Sequence, residues 1–233
     1  CYGEEVMENK ELYLSYLSDS YRKLDDYLNF SKCQKVYLVF KRFCDILISF
    51  VLLVACFPIF ILASVFIKLT SAGSVVFSQP RVGKDGKIIK VYKFRTMLTR
   101  APKNKAAAEL YDRDEYITKV GKVLRLTSVD ELPQLFNVLK GDMSLIGPRP
   151  LIPEEREAHE LRNKNGVYRI RPGITGLAQV NGRNLLDINN KVQFDTEYLH
   201  SLSLKLDLYI FFKSIWVVFN MSGFFKTKNN MFK

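Results

Sequence analysis

Two adjacent acids, Asp130 and Glu131, stand inside the run Leu124-Arg125-Leu126-Thr127-Ser128-Val129-Asp130-Glu131-Leu132-Pro133-Gln134-Leu135, with Arg95, Arg149 and Arg171 elsewhere in the chain as further cations. A carboxylate can attack phosphorus to give an acyl phosphate, but it repels a phosphate polyanion unless cations neutralise the assembly. Such chemistry therefore asks for Mg²⁺ and for arginines, whose planar forks grip phosphate bidentately. The same residues also have a purely structural reading. Asp130 could N-cap a helix running from Glu131 to Lys140, with Pro133 in the first turn where its missing amide costs little, and Ser128 and Glu131 fall at capping-box spacing. Both readings share one geometry, because a helix N-terminus attracts carboxylate and phosphate alike.

Such a pair needs elements to hold it. Between Arg42 and Lys68 the segment FCDILISFVLLVACFPIFILASVFI carries a single charge, Asp45, and is long enough to cross a hydrocarbon layer about 30 Å thick. Pro58 interrupts it, removing a backbone hydrogen bond and disfavouring helical geometry at Phe57. Broken there, the arms Phe43–Phe57 and Pro58–Ile67 reach roughly 22 Å and roughly 15 Å, and neither alone spans. Lys41 and Arg42 precede the run, while Lys68, Arg81, Lys84, Lys87, Lys90 and Lys93 follow it, which pulls both flanks toward the same side of a membrane. A re-entrant hairpin satisfies both flanks, and a kinked spanning helix stays open on these residues alone.

The pieces VVFSQ and IIKVYKF around Gly83-Lys84-Asp85-Gly86 predict a small β-hairpin. Residues 101–118 read as a solvated loop or helix. A charged helix is expected after Pro153, and the glycine-punctuated stretch YRIRPGITGLAQVNGRN is expected as loop with short strands facing phosphate. The segment LDLYIFFKSIWVVFN, residues 206–220, suits either a helix lying in a membrane interface or a buried core helix. Residues 1–35 predict a short helical prelude, with Leu12, Tyr16, Leu24 and Leu28 near helical spacing and too polar for a signal peptide. The lysine-containing end, residues 223–233, predicts a frayed basic tail.

With 233 residues, 48% of them hydrophobic, and a net charge of +11, the chain is one folded unit attracted to something anionic. Nucleic acid, anionic lipid and phosphorylated substrate all qualify by charge; a nucleic-acid module leaves the apolar run unexplained, and a non-catalytic membrane scaffold leaves the acidic pair idle. Cys1, Cys33, Cys44 and Cys56 show no paired spacing, so neither a disulfide framework nor a zinc site is expected.

The motifs FSQPRVGKDGKIIKVYKFRTM, LRLTSVDELPQLFNVLKGDMSLIGPRP and RPGITGLAQVNGRN, following Lys41-Arg42 and the proline-broken apolar segment, resemble the monotopic phosphoglycosyltransferases over about residues 36–222. These are bacterial sugar transferases that initiate lipid-linked glycan assembly. The resemblance implies a mostly helical α+β fold: a re-entrant membrane helix at 43–67 broken near Pro58, interfacial amphipathic helices and a small β-hairpin, within a catalytic domain of residues 36–222. It implies an enzyme of the bacterial cytoplasmic membrane with its site on the cytoplasmic face. Asp130 would be the nucleophile toward the β-phosphorus of a UDP-sugar, expelling UMP and passing the phosphosugar to polyprenyl (undecaprenyl) phosphate. Mg²⁺ would be the cofactor with Asp130 as ligand, Glu131 a supporting acid, and Arg125, Arg149, Arg95 and Arg171 phosphate-binding residues. Membrane lipids, but no nucleic acid, are the implied further partners, with a homo-oligomer left open. In one respect the chain departs from the family: many members have Ser-Pro at the helix break, and this one has Phe57-Pro58.

Overall fold

A computed structural model describes residues 30–101, 113–182 and 186–219. The predicted prelude up to residue 29 and the basic tail lie outside those bounds.

Ser31 opens the first helix, α1 (Lys32–Ala55): its hydroxyl accepts from the Gln34 amide while the Gln34 side chain accepts from the Ser31 amide, a complete capping box. At Cys56 the chain turns, and α2 (Phe57–Thr70) leaves at 60° to α1. Pro58 falls in the first turn of α2, where a missing N–H is tolerated, and the Cys56 amide closes on the Leu52 carbonyl. The break thus forms with Phe57, and no hydroxyl, beside the proline. No single described helix is long and apolar enough to cross a membrane; the bent pair passes that test only jointly.

Next comes the antiparallel hairpin β1 (Val76–Val82) and β2 (Ile88–Phe94), whose turn holds Asp85 at φ 56. Its register sets Phe77, Gln79 and Arg81 opposite Lys93, Val91 and Ile89 on one face. Short helices α3 (Arg113–Tyr116), α4 (Lys119–Leu126) and α5 (Gln134–Lys140) lead to β3 (Ser144–Ile146), which pairs in parallel with β4 (Gly173–Thr175). Between those strands lies the expected charged helix, α6 (Arg156–Lys164); after them come α7 (Leu177–Val180), α8 (Ile188–His200) and α9 (Leu204–Phe219). The fold is mostly helical with two small sheets.

Polar contacts fasten α1 to this body. Asp207 of α9 accepts from Tyr37 at 2.6 Å, Lys41 at 2.6 Å and Tyr198 at 2.7 Å, so the acid that interrupts an apolar helix joins three elements. Arg42 donates to the carbonyls of Val138 and Leu139, closing the C-terminal end of α5, and the Leu145 amide donates to Asp45. Beyond these anchors α1 and α2 expose Phe43, Leu47, Phe50, Phe57, Leu62 and Phe66, and α9 exposes Leu208, Phe212 and Trp216. The core opposite α2 is apolar: Ala63 and Ile67 pack with Phe94 and Leu124, flanked by Val129 and Leu132.

Asn137, fully buried on α5, locks that helix to the hairpin by accepting from the Tyr92 amide at 3.0 Å and donating to the Lys90 carbonyl at 2.7 Å. Asn137→Ala orphans both backbone groups and is expected to destabilise the fold by on the order of 2–4 kcal/mol, read as a lower urea midpoint in chemical unfolding.

Candidate active site

The acidic pair does not cap a helix. Val129–Glu131 forms a single 3₁₀ turn, and α5 begins only at Gln134, three residues later than the helix expected from Glu131. Pro133 is the cause: it has no N–H to give the Val129 carbonyl, which takes the Leu132 amide instead, and the i→i−3 pattern persists through Leu135 and Phe136. Ser128 sits at φ 57 and its side chain caps nothing, so the capping box expected of Ser128 and Glu131 is not formed. The turn is fixed from below by Val129 and Leu132, which pack on Ala63 and Ile67 of α2.

Freed from capping, the Asp130 carboxylate accepts no hydrogen bond among the described residues, although Asp130 is only 8% exposed. Burial raises its pKa from 3.8 to about 6; the Lys93 ammonium opposes this most strongly, Glu131 reinforces it, and Arg125 and Arg149 oppose it. Glu131 takes the direct contacts, with Lys93 Nζ at 2.6 Å and Arg149 Nη1 at 3.7 Å. The two acids divide the labour: Glu131 holds the cations in place, and Asp130 lies within their field without a hydrogen bond of its own.

Each cation arrives on a separate element. Arg125, at the end of α4, is steered by its Nε donating to Thr96 Oγ1 at 2.8 Å. That contact requires α4 to ride against the strand end, and a Cβ at Gly121 would lie 2.0 Å from the Thr96 carbonyl oxygen. Arg149 follows β3 in the segment Gly147-Pro148-Arg149-Pro150. Its carbonyl accepts from Arg162 at 2.7 Å, the Pro150 carbonyl accepts from Arg81 at 3.1 Å, and Arg162 is itself held by buried Asp195 at 2.5 Å. The Arg149 side chain is left half-exposed at the mouth of the site.

Of the four arginines singled out, Arg125 and Arg149 therefore meet at Asp130. Arg95 is buried elsewhere, its Nη2 donating to the carbonyl and hydroxyl of Ser71 at the C-terminal end of α2. Arg171 donates from Nε to the Gly141 carbonyl and lines a different cleft, with Arg42. Lys93 and Arg81 were legible only as flanking positive charge. Their signal was periodicity, since both share the face of Ile89 and Val91, where a strand of this pattern points inward.

Among the described residues no group of three or more His, Cys, Asp or Glu side chains could hold a metal ion. The donor set nonetheless fits Mg²⁺, which commonly uses one or two carboxylates and completes its shell with substrate phosphate and water. Asp130, with no hydrogen-bonded partner of its own, is the available oxygen donor.

Residues 36–221 match the family model for the bacterial sugar transferases, and the chain belongs to that family. It is 41% identical over 186 residues to the UDP-glucose:undecaprenyl-phosphate glucose-1-phosphate transferase of Klebsiella pneumoniae, covering 77% of this chain and 40% of that protein. It is 39% identical over 198 residues to the undecaprenyl-phosphate galactose phosphotransferase of Salmonella typhimurium, covering 78% of this chain and 41% of that protein. The exopolysaccharide production protein ExoY of Sinorhizobium fredii is 39% identical over 189 residues, 75% of this chain and 83% of that protein. The chain thus spans about four-tenths of the first two relatives and most of the third.

The raised pKa of Asp130 sets a stability signature. Between about pH 4 and 6 the folded chain keeps a proton the unfolded chain has lost, so stability falls as pH rises through that window and stays lower above it. Asp130→Asn is expected to melt higher than the wild type at pH 7.5, with the gap closing toward pH 4; a gap independent of pH would contradict the buried charge.

Proposed function

We propose that this chain transfers a sugar 1-phosphate from a UDP-sugar to undecaprenyl phosphate, with Asp130 as nucleophile. The observation that carries this reading is the Asp130 carboxylate itself: withdrawn from water, without a hydrogen bond among the described residues, and faced by Lys93, Arg125 and Arg149. With a pKa of about 6 it is mainly ionised at neutral pH while keeping more basicity than an exposed aspartate. The names of the relatives supply the donor and acceptor classes.

In the first half-reaction an Asp130 oxygen bonds to the β-phosphorus, and the bond from that phosphorus to the bridging oxygen breaks. UMP departs with the electron pair, leaving an acyl phosphosugar on Asp130. In the second, an oxygen of undecaprenyl phosphate attacks the same phosphorus and the carboxylate leaves, giving the lipid diphosphate sugar. Arg125 and Arg149 hold the diphosphate oxygens, Lys93 keeps Asp130 charged, and Glu131 maintains the positions of Lys93 and Arg149. Mg²⁺, held by Asp130, would offset negative charge on the diphosphate.

The acceptor is a lipid, and the exposed apolar flanks of α1, α2 and α9 support its delivery from a bilayer. On this reading α1 and α2 form a re-entrant hairpin that enters and leaves one face of the bacterial cytoplasmic membrane. Its basic flanks, Lys41 and Arg42 before it and Lys68 after it, favour the cytoplasmic side.

Purified protein given Mg²⁺ and a panel of UDP-sugars, without acceptor, should release at most one equivalent of UMP in a burst with the matching sugar. Asp130→Asn should lower the rate by a factor of about 10³ or more. Turnover with acceptor but no burst would refute the covalent step. The burst rate should fall as pH drops through about 6, because protonation removes the nucleophile. Lys93→Met, which removes the strongest charge-stabilising neighbour, should move that acid limb to higher pH.

A further inference from the structure

A second basic cleft opens away from the acidic pair. It is a cavity of about 100 Å³ between α1, the hairpin turn, β3 and the loop before β4, and its wall carries Lys41, Arg42, Lys84, Arg169 and Arg171 with one acid, Asp45. The hairpin separates it from Asp130. Lys84 lies in the turn and Lys93 near the other end of β2, with roughly 17 Å of strand from Ile88 to Lys93 at about 3.4 Å per residue.

Most of these cations have specific contacts, and the charge is still not neutralised. Lys41 is paired with Asp207, Arg42 is spent on the Val138 and Leu139 carbonyls, and Arg169 lies over the Phe30 ring at 4.3 Å. Carbonyls satisfy the donors of Arg42 without cancelling its charge. Arg171 uses only its Nε, toward Gly141, so its two terminal nitrogens make no hydrogen bond among the described residues, and Lys84 has no ion pair among them. Arg42 has its pKa lowered by burial and then by the nearby Arg171 charge, with Asp45 opposing, so the two guanidinium groups share a single nearby acid in this wall.

We propose that this cleft is an anion site for a phosphate group, gripped by the fork of Arg171 and the ammonium of Lys84. Guanidinium forks match the tetrahedral oxygens of phosphate better than they match a single-point anion, and the cavity has the dimensions of one such group. The phosphate can belong to an anionic lipid headgroup or be free in solution. The position of the cleft on α1 bears on this: Arg42 is followed at once by exposed Phe43, so the site stands where the charged end of the helix gives way to its apolar surface. The site does not rest on the transfer reaction and involves neither Asp130 nor Arg149.

The test is calorimetric titration of the full chain in uncharged detergent with inorganic phosphate and, separately, with short-chain phosphatidylglycerol. Saturable binding of either, weakened by about tenfold or more in the Lys84→Gln/Arg171→Gln double variant and unchanged in the exposed control Lys164→Gln, supports the site. Lys84→Gln alone, at a partly exposed turn, should weaken binding by about threefold or more and Lys84→Arg should restore it, which keeps the test valid if the double variant does not fold. Tighter binding of phosphatidylglycerol identifies a lipid headgroup as the source; equal or tighter binding of inorganic phosphate identifies the free anion. Absence of saturable binding of both probes, binding indifferent to Lys84 and Arg171, or binding lost in Lys164→Gln overturns the proposal.

Discussion

A carboxylate withdrawn from water is costly to keep charged, and the arrangement around Asp130 is organised by that cost. Burial disfavours its charged form. Lys93 offsets burial most, Arg125 and Arg149 add to it, and the neighbouring Glu131 works against it while fixing Lys93 and Arg149. None of these three cations belongs to the turn that carries Asp130, so the charge state of a single residue depends on the packing of a hairpin, a helix and a loop that lie far apart in sequence. Asn137 and the Arg162–Asp195 pair act at one remove, holding the backbones from which Lys93 and Arg149 extend, and Thr96 holds the Arg125 guanidinium directly.

The helices meet this demand in two different ways. α1 is tied to the body by directed polar contacts: Tyr37 and Lys41 to Asp207, Arg42 to the end of α5, and Asp45 to the Leu145 amide. Such contacts fix orientation as well as proximity. α2 is held through Ala63, Ile67 and Phe60, the last in edge contact with Phe94 at 5.2 Å and Phe136 at 6.1 Å. The bend at Cys56 lets one continuous apolar segment be anchored by both methods.

Much of this was legible in local sequence. Gly83-Lys84-Asp85-Gly86 placed the hairpin turn and Pro58 placed the break, each signal lying within a few residues of the feature it determines, and the resemblance of the motifs singled out Arg125 and Arg149, which the structure brings near Asp130. What escaped was long-range. Lys93 looked like one more lysine in a basic strand, and only the β1–β2 register gives it a direction. Arg95 and Arg171 looked equivalent to Arg125 and Arg149 by residue type, yet their partners, Ser71 and Gly141, are set by tertiary packing. The helix cap is absent for a local reason: Pro133 removes the donor that the Val129 carbonyl would need, and the Leu132 amide takes that place.

The thinness of α2 has a consequence for reactivity. One side of this single helix carries Ala63 and Ile67 beneath Val129 and Leu132; its other side is bare at Leu62, Val65, Phe66 and Leu69. One helix diameter therefore separates the turn that carries Asp130 from whatever medium surrounds the molecule. Packing against the outer side of α2 therefore bears, one layer in, on the position of Asp130 relative to its cations. On the proposed placement in a bilayer, lipid is the neighbour on that outer side, one helix away from the carboxylate.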